Sequence, residues 1–405
     1  METLRQLMRN RALLTFMLGH FTVDLYAGVL PVLYPLMALE FSLTKEAVGI
    51  VALAFTATSS LVQPLFGYLA DRFGSRVLAP ASVVWAALMV AVAGLAPTVG
   101  FLMLAASLAG LGSGAYHPLG ASSAAAVTGE LQKNTAMSIY TVGGSVGYAL
   151  GPLLGALAFG SVGPAGSVFM LPVGLVSALL ILRSLWGRPG RVAQRAQAVV
   201  AEAPSQRERI AWRPLLPVVG VTMLRSWVSL SLITFIPLWY ADLGYGAEFY
   251  GPLTTLVIGG GAVGTLLGGL LADRFGQRRV LLLSLACTLP ALVLFVGVPG
   301  PIALATGALY GMLADSSLSI TLVMAQRALP GRTGLASGFI LGLGFVTGGI
   351  GVPLVGRLAD AVGMPAALLS LSVLLVAAVA LALWIPRDAP QRAPAPSAAL
   401  ARGDD

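Results

Sequence analysis

The chain has 405 residues and a net charge of +8, with 57% of its residues hydrophobic and only 10% charged, against about 25% charged in an ordinary soluble domain. A mean hydropathy of +0.88 excludes a water-soluble globular surface, because the apolar runs are long enough to cross a hydrocarbon core of about 30 Å at about 1.5 Å per residue. Nucleic-acid binding is also excluded: the basic residues sit in short segments between apolar runs, as membrane orientation requires.

The first segment, from Met1 to Arg11, leads into a long apolar run without a small-residue cleavage site, so it reads as a retained first span rather than a cleaved signal. Further apolar segments follow, and together they fall near 12–38, 46–69, 77–96, 99–127, 134–160 and 166–186, then 214–241, 248–271, 279–298, 301–328, 333–359 and 364–386. The pattern predicts an all-α membrane protein of twelve transmembrane helices. Residues 1–186 form one six-helix half and 214–386 the other, joined by a cytoplasmic linker over 187–213 that holds Arg188, Arg191, Arg195, Arg207, Arg209 and Arg213. The tail over 387–405, rich in Pro and Ala, reads as disordered.

With the N-terminus inside, all 24 Lys and Arg except Lys45, Arg357 and Arg225 fall on the cytoplasmic side, which puts both termini in the cytoplasm. Cys287 is the single cysteine and lies within an apolar run, so neither an intramolecular disulfide nor a Cys-based metal cluster is expected.

The two halves repeat. Gly67-Tyr-Leu-Ala-Asp71-Arg72-Phe-Gly74-Ser-Arg76 returns as Gly269-Leu-Leu-Ala-Asp273-Arg274-Phe-Gly276-Gln-Arg278, a shift of 202. Gly143, Gly147, Pro152 and Gly155 return as Gly344, Gly348, Pro353 and Gly356, a shift of 201. Two motifs with nearly one offset imply a parallel duplication, the build of many secondary transporters, whose substrate sites lie at the midplane between repeats.

The Gly67–Arg76 segment resembles the loop signature of the major facilitator superfamily, and its echo falls at the equivalent junction of the second half. The resemblance implies the superfamily fold, with Gly67, Asp71, Arg72, Gly74, Arg76, Asp273 and Arg274 as a conformational switch. Physically, glycine permits close helix approach and an Asp–Arg pair at a helix boundary can grip a neighbouring helix end and release it.

His20-Phe-Thr-Val-Asp24-Leu-Tyr26, Gln63-Pro64 and Tyr116-His117-Pro118 resemble the fosmidomycin-resistance branch, which implies drug export in exchange for protons. After Pro118 this chain has Leu119 where that branch is expected to be acidic. The stripe Gly143, Gly147, Gly151, Pro152 and Gly155 is similar to the fifth-span signature of the superfamily's antiporters, and its spacing of four makes a flat face for helix packing.

Ionisable residues inside a bilayer are costly and mark function. His20 and Asp24 share one face of span 1. The helical rise puts them about 12 and 18 Å above the cytoplasmic boundary, with His117 on span 4 at about 15 Å, so the three can meet. Arg225 stands where the offset of 201 carries Asp24, and Asp315 lies near the middle of span 10. These residues fall on spans 1, 4, 7 and 10, which line the central cavity in the fold the chain resembles.

Asp24 is therefore expected to carry the proton, with His20 or His117 tuning or relaying it. Arg225 is expected to attract an anionic cargo and Asp315 to hold Arg225 when the site is empty; Gln63, Tyr26, Tyr140 and Trp227 are further cavity candidates. A structural hydrogen-bonded pair and a structural ion bridge would use the same residues.

No phosphate loop, zinc-protease motif or nucleophile elbow is present, so enzymatic activity is not expected, nor is a metal or bound cofactor. Energy would come from a proton gradient. The expected partners are a small-molecule substrate, protons and the lipid bilayer, with the chain acting as a monomer. A proton symporter importing an organic anion, or a membrane receptor on a transporter fold, are the other readings.

Overall fold

The computed structural model describes residues 7–128, 133–186, 211–329 and 333–386, with backbone alone at 71, 133–135, 333–339 and 341. Most of the inter-half linker and the tail lie outside the described residues. Among the described residues there is no strand, as a bilayer demands of a chain that must satisfy its backbone groups within each segment.

The first half comprises α1 (Arg11–Phe41), α2 (Lys45–Leu61), α3 (Gln63–Phe73), α4 (Leu78–Ala93), α5 (Val99–Ala126), α6 (Lys133–Val162), a 3-10 turn (Gly163–Met170) and α7 (Leu171–Trp186). The second comprises α8 (Trp212–Asp242), α9 (Ala247–Phe275), α10 (Gln277–Gly297), α11 (Ala303–Asp315), α12 (Leu318–Ala328), α13 (Thr333–Val362) and α14 (Met364–Leu383). Taking α2 with α3 as one span and α11 with α12 as another gives twelve spans.

Side-chain caps set several boundaries. Asn10 accepts from Leu13 N at the start of α1, and its amide also donates to Val127 O at the end of α5. Thr44 and Thr98 cap α2 and α5 in the same way. The second span is broken after Val62 because Pro64 at the start of α3 has no N–H to donate. The tenth is broken just beyond Asp315, and Thr265 Oγ1 donates to the Asp315 carbonyl at 3.0 Å.

Apolar packing shows how the halves meet. At the end that carries Phe41, Lys45 and Asp242, one core runs through both halves, from Leu33 and Val48 to Phe235 and Val355. At the opposite end, where Leu7 and Ile385 lie, each half keeps its own core. The molecule is closed at the first end and parted at the second.

Polar contacts lock the closed end. Asp360 at the end of α13 accepts from the backbone N–H of Lys45 and of Glu46, both at 2.9 Å, so its carboxylate sits on the positive end of α2. Lys45 Nζ reaches Asp242 Oδ2 at 3.1 Å. Glycine allows the approach: a Cβ on Gly49 would strike the Pro353 backbone, and one on Gly356 the Lys45 carbonyl.

A capping carboxylate contributes about 1 kcal/mol. If it is made in one state only, Asp360→Ala should shift the balance between states about fivefold towards opening of this end. The check is the rate at which an impermeant maleimide labels Thr56→Cys, in a Cys287→Ser background, from that side. An unchanged rate would make Asp360 a solvated surface residue.

Candidate functional site

The glycine stripe sets the site. A Cβ on Gly143, Gly147 or Gly151 would collide with the carbonyl of Met17, Phe21 or Leu25 respectively, so α6 lies flat along α1 in steps of four residues. Gly144, beside the stripe, has its open face against the Asp24 carboxylate and the His20 ring. Here the stripe seats the helix that carries Asp24.

His20 Nε2 lies 3.3 Å from Asp24 Oδ2, and His117 Nε2, from α5, lies 3.5 Å from Asp24 Oδ1. His20 Nδ1 is 2.9 Å from the Tyr140 carbonyl. The carbonyl only accepts, which assigns the proton to Nδ1 and leaves Nε2 of a neutral ring as a lone pair aimed at the carboxylate. Two acceptors so placed repel unless a proton lies on one of them.

Tyr140 completes the enclosure. Its ring stacks on His20 at 4.3 Å between centroids and its hydroxyl donates to the His117 carbonyl at 3.3 Å. The His117 and Asp24 side chains remain 28% and 21% exposed, so the cluster opens towards the gap between the halves.

In the second half Arg225 Nη1 donates to Asp315 Oδ1 at 2.8 Å. Arg225 is buried, and its Nε has no hydrogen-bond partner among the described residues. Ser229, one turn along α8, lies beside Asp315 and Tyr310.

The other expected residues divide. Tyr26 is fully buried, and its hydroxyl donates to Met170 O at 3.0 Å. Two residues past Asp24 is about 200° around the helix, so Tyr26 braces the interior of its half instead of lining the gap. Gln63 is partly buried at the break between α2 and α3. Trp227 packs its indole on Gly351 of α13 and leaves Nε1 without a partner.

The repeated loop motif also differs from expectation. The Asp71 side chain lies outside the described residues, and Asp273 is exposed. Arg72 and Arg274 fold back over Phe73 and Phe275, the rings that follow them, Arg72 also bonding to the Tyr68 hydroxyl of its own helix, and reach no neighbouring helix among the described residues. The last arginine of each motif grips instead: Arg76 lies 4.1 Å over Trp186 at the end of α7, and Arg278 Nη2 donates to Leu383 O at 2.8 Å at the end of α14. Gly74 and Gly276, at φ of 74° and 92°, turn the chain between the helices in a conformation that favours glycine.

Sequence reasoning missed Tyr148. It lies one turn beyond Gly144 and packs against a small cluster that joins Ala149 to Ile233 and Ile258 of the other half. A large polar residue within a run of glycines was the available signal. A separate apolar recess of about 760 Å³ lies between α6, α9 and α11, around Ala149, Leu256 and Met312, and none of the ionisable residues lines it.

The Major Facilitator Superfamily family model matches residues 16–261 and 218–402. The chain belongs to the Major Facilitator Superfamily. Among its relatives, the uncharacterized MFS-type transporter YfnC of Bacillus subtilis (strain 168) is 32% identical over 380 residues, covering 91% of each chain. The fosmidomycin resistance protein of Escherichia coli (strain K12) is 28% identical over 351 residues, covering 85% of each.

In fold the chain is similar to a bacterial homologue of the human lysosomal transporter Spinster in an inward-facing, occupied conformation. The TM-score is 0.75 at 18% identity, over 93% of this chain and 98% of that one. The protein is thus a multi-pass membrane transporter of this superfamily, resembling the fosmidomycin-resistance branch, with the fold expected from its repeats.

Membership makes the packing around Asp24 a test of function. Gly144→Ala should cost about 1–3 kcal/mol by overpacking and lower transport more than it lowers protein yield, because the methyl displaces Asp24 and His20. Ala at Gly160, where a Cβ meets nothing within 4 Å, is the matched control in the same helix. Equal transport by the two variants would remove Gly144 from the site.

Proposed function

We propose that this superfamily member is a proton-coupled antiporter of the bacterial inner membrane that exports a small polar or anionic compound of the fosmidomycin type by alternating access. The observation that carries the reading is the lone pair of His20 Nε2 facing Asp24 Oδ2 at 3.3 Å, a geometry stable only when a proton is shared between them. Asp24 carries that proton, and His20 and His117 relay it. The relative named for fosmidomycin resistance, and a second named as the multidrug efflux pump Tap of Mycolicibacterium fortuitum, 25% identical over 402 residues, support export.

Arg225 is the anion clamp. With the site empty, Asp315 occupies it; a phosphonate or carboxylate takes its place by the two-pronged geometry that guanidinium offers. Tyr140, Trp227 and Gln63 would contact cargo as it passes. Both termini are cytoplasmic in this reading, so the parted end faces the cytoplasm and the Asp360 end is the closed outer gate. The chain works as a monomer, with the proton gradient as its energy source and no bound cofactor.

Everted membrane vesicles test this. With an acid interior generated by respiration, adding fosmidomycin outside should draw protons out and relieve the quenching of a pH-sensitive dye, and vesicles without the protein should show no such response. No response with the protein present would overturn export of this cargo by antiport.

A further inference from the structure

The chain has only two histidines and one cysteine, and both histidines converge on one carboxylate. Ligand atoms from His20, Asp24 and His117 all lie within 4.8 Å of one another. His20 Nε2 lies 3.3 Å from Asp24 Oδ2 and His117 Nε2 3.5 Å from Oδ1, so each imidazole faces one oxygen of the same carboxylate, which a metal would take through either or both. A tetrahedral zinc site, with metal–ligand bonds of about 2.0–2.1 Å, has edges of about 3.3 Å.

Orientation agrees as well as distance. The Tyr140 carbonyl holds the Nδ1 proton of His20 and leaves Nε2 facing the Asp24 carboxylate, the outer-shell arrangement that fixes metal-binding imidazoles. Two imidazoles and one carboxylate leave a single positive charge on a divalent ion. They also leave a fourth position on the side where His117 and Asp24 are partly exposed.

We propose that His20, Asp24 and His117 form a binding site for a divalent transition-metal ion of the zinc type, with water or an anion in the fourth position, and that its occupation blocks transport. A bound ion ties α1 to α5 and fills the space into which Asp24 opens. The inference uses ligand geometry alone and stands whether or not Asp24 carries a proton, since binding in detergent involves no transport.

The test uses the purified full-length protein with its affinity tag removed. Titration with Zn²⁺ alone should give one ion per chain, and Co²⁺ should show the strong visible absorption of a four-coordinate ion. His117→Gln, at the most exposed of the three positions, should weaken Zn²⁺ binding by more than about tenfold, the lower range for disturbing even an outer-shell partner. Asp24→Asn should abolish the Co²⁺ bands. In proteoliposomes Zn²⁺ should inhibit transport by the wild type over the concentration range in which the titration fills the site. Absence of Zn²⁺ binding, a weak six-coordinate Co²⁺ spectrum, or wild-type affinity in both variants would overturn the proposal. A failure of proton coupling with intact Zn²⁺ binding would overturn only the proposed function.

Discussion

Asp24→Asn is expected to abolish uphill transport while leaving cargo binding and downhill exchange largely intact. The amide keeps the shape beside Gly144 and can still hydrogen-bond to His20, but it cannot take up and release a proton. In proteoliposomes with an imposed proton gradient, the accumulation ratio should fall to about one. The same vesicles preloaded with cargo should still exchange it. Unimpaired accumulation would move the proton site, most directly to Asp315, the other intramembrane carboxylate beside the gap.

The second large effect concerns Arg225 and Asp315. Removing one partner of a buried pair leaves a charge without compensation, which typically costs about 3–5 kcal/mol; replacing both with apolar residues of similar size is often neutral. Asp315 is 26% exposed at its side chain and Arg225 only 7%, so stranding Arg225 should be the more damaging. Arg225→Met with Asp315→Leu should therefore regain most of the thermal stability that Asp315→Leu loses. It should nevertheless fail to bind an anionic cargo, because the guanidinium is gone. A stable double variant that transports normally would reduce the pair to a structural bridge.

How much of this was legible depends on which distances a sequence encodes. Positions along one helix follow from the rise, which is why His20, Asp24 and His117 can be placed at one level before any contact is known. The offset of 201 likewise puts Arg225 opposite Asp24, and the structure adds its bond to Asp315. Rotation about a helix is equally legible in principle: Tyr26, two residues from Asp24, had to face away from it.

Other features depend on packing between helices or on conformational state. No local signal tells that the Tyr140 carbonyl fixes the His20 tautomer, since the contact joins residues 120 apart. The glycine stripe shows that some helix packs closely, and only the structure shows that it is α1. In the loop motif the sequence does not tell which arginine makes a contact between helices. Arg72 bonds to Tyr68 and lies over Phe73 of its own helix, and Arg76 and Arg278 hold contacts inside their own halves. The Asp360 contact to Lys45 and Glu46 joins residues 315 and 314 apart in different halves, so no local signal announces it.

The central claim is that the proton held at Asp24 and the cargo held at Arg225 exclude each other, as antiport requires. It is tested most directly by adding fosmidomycin to the purified protein in weakly buffered detergent solution and following the pH. Proton release on binding, absent in Asp24→Asn, is the expected result. Proton uptake, no change, or release that persists in Asp24→Asn would contradict it.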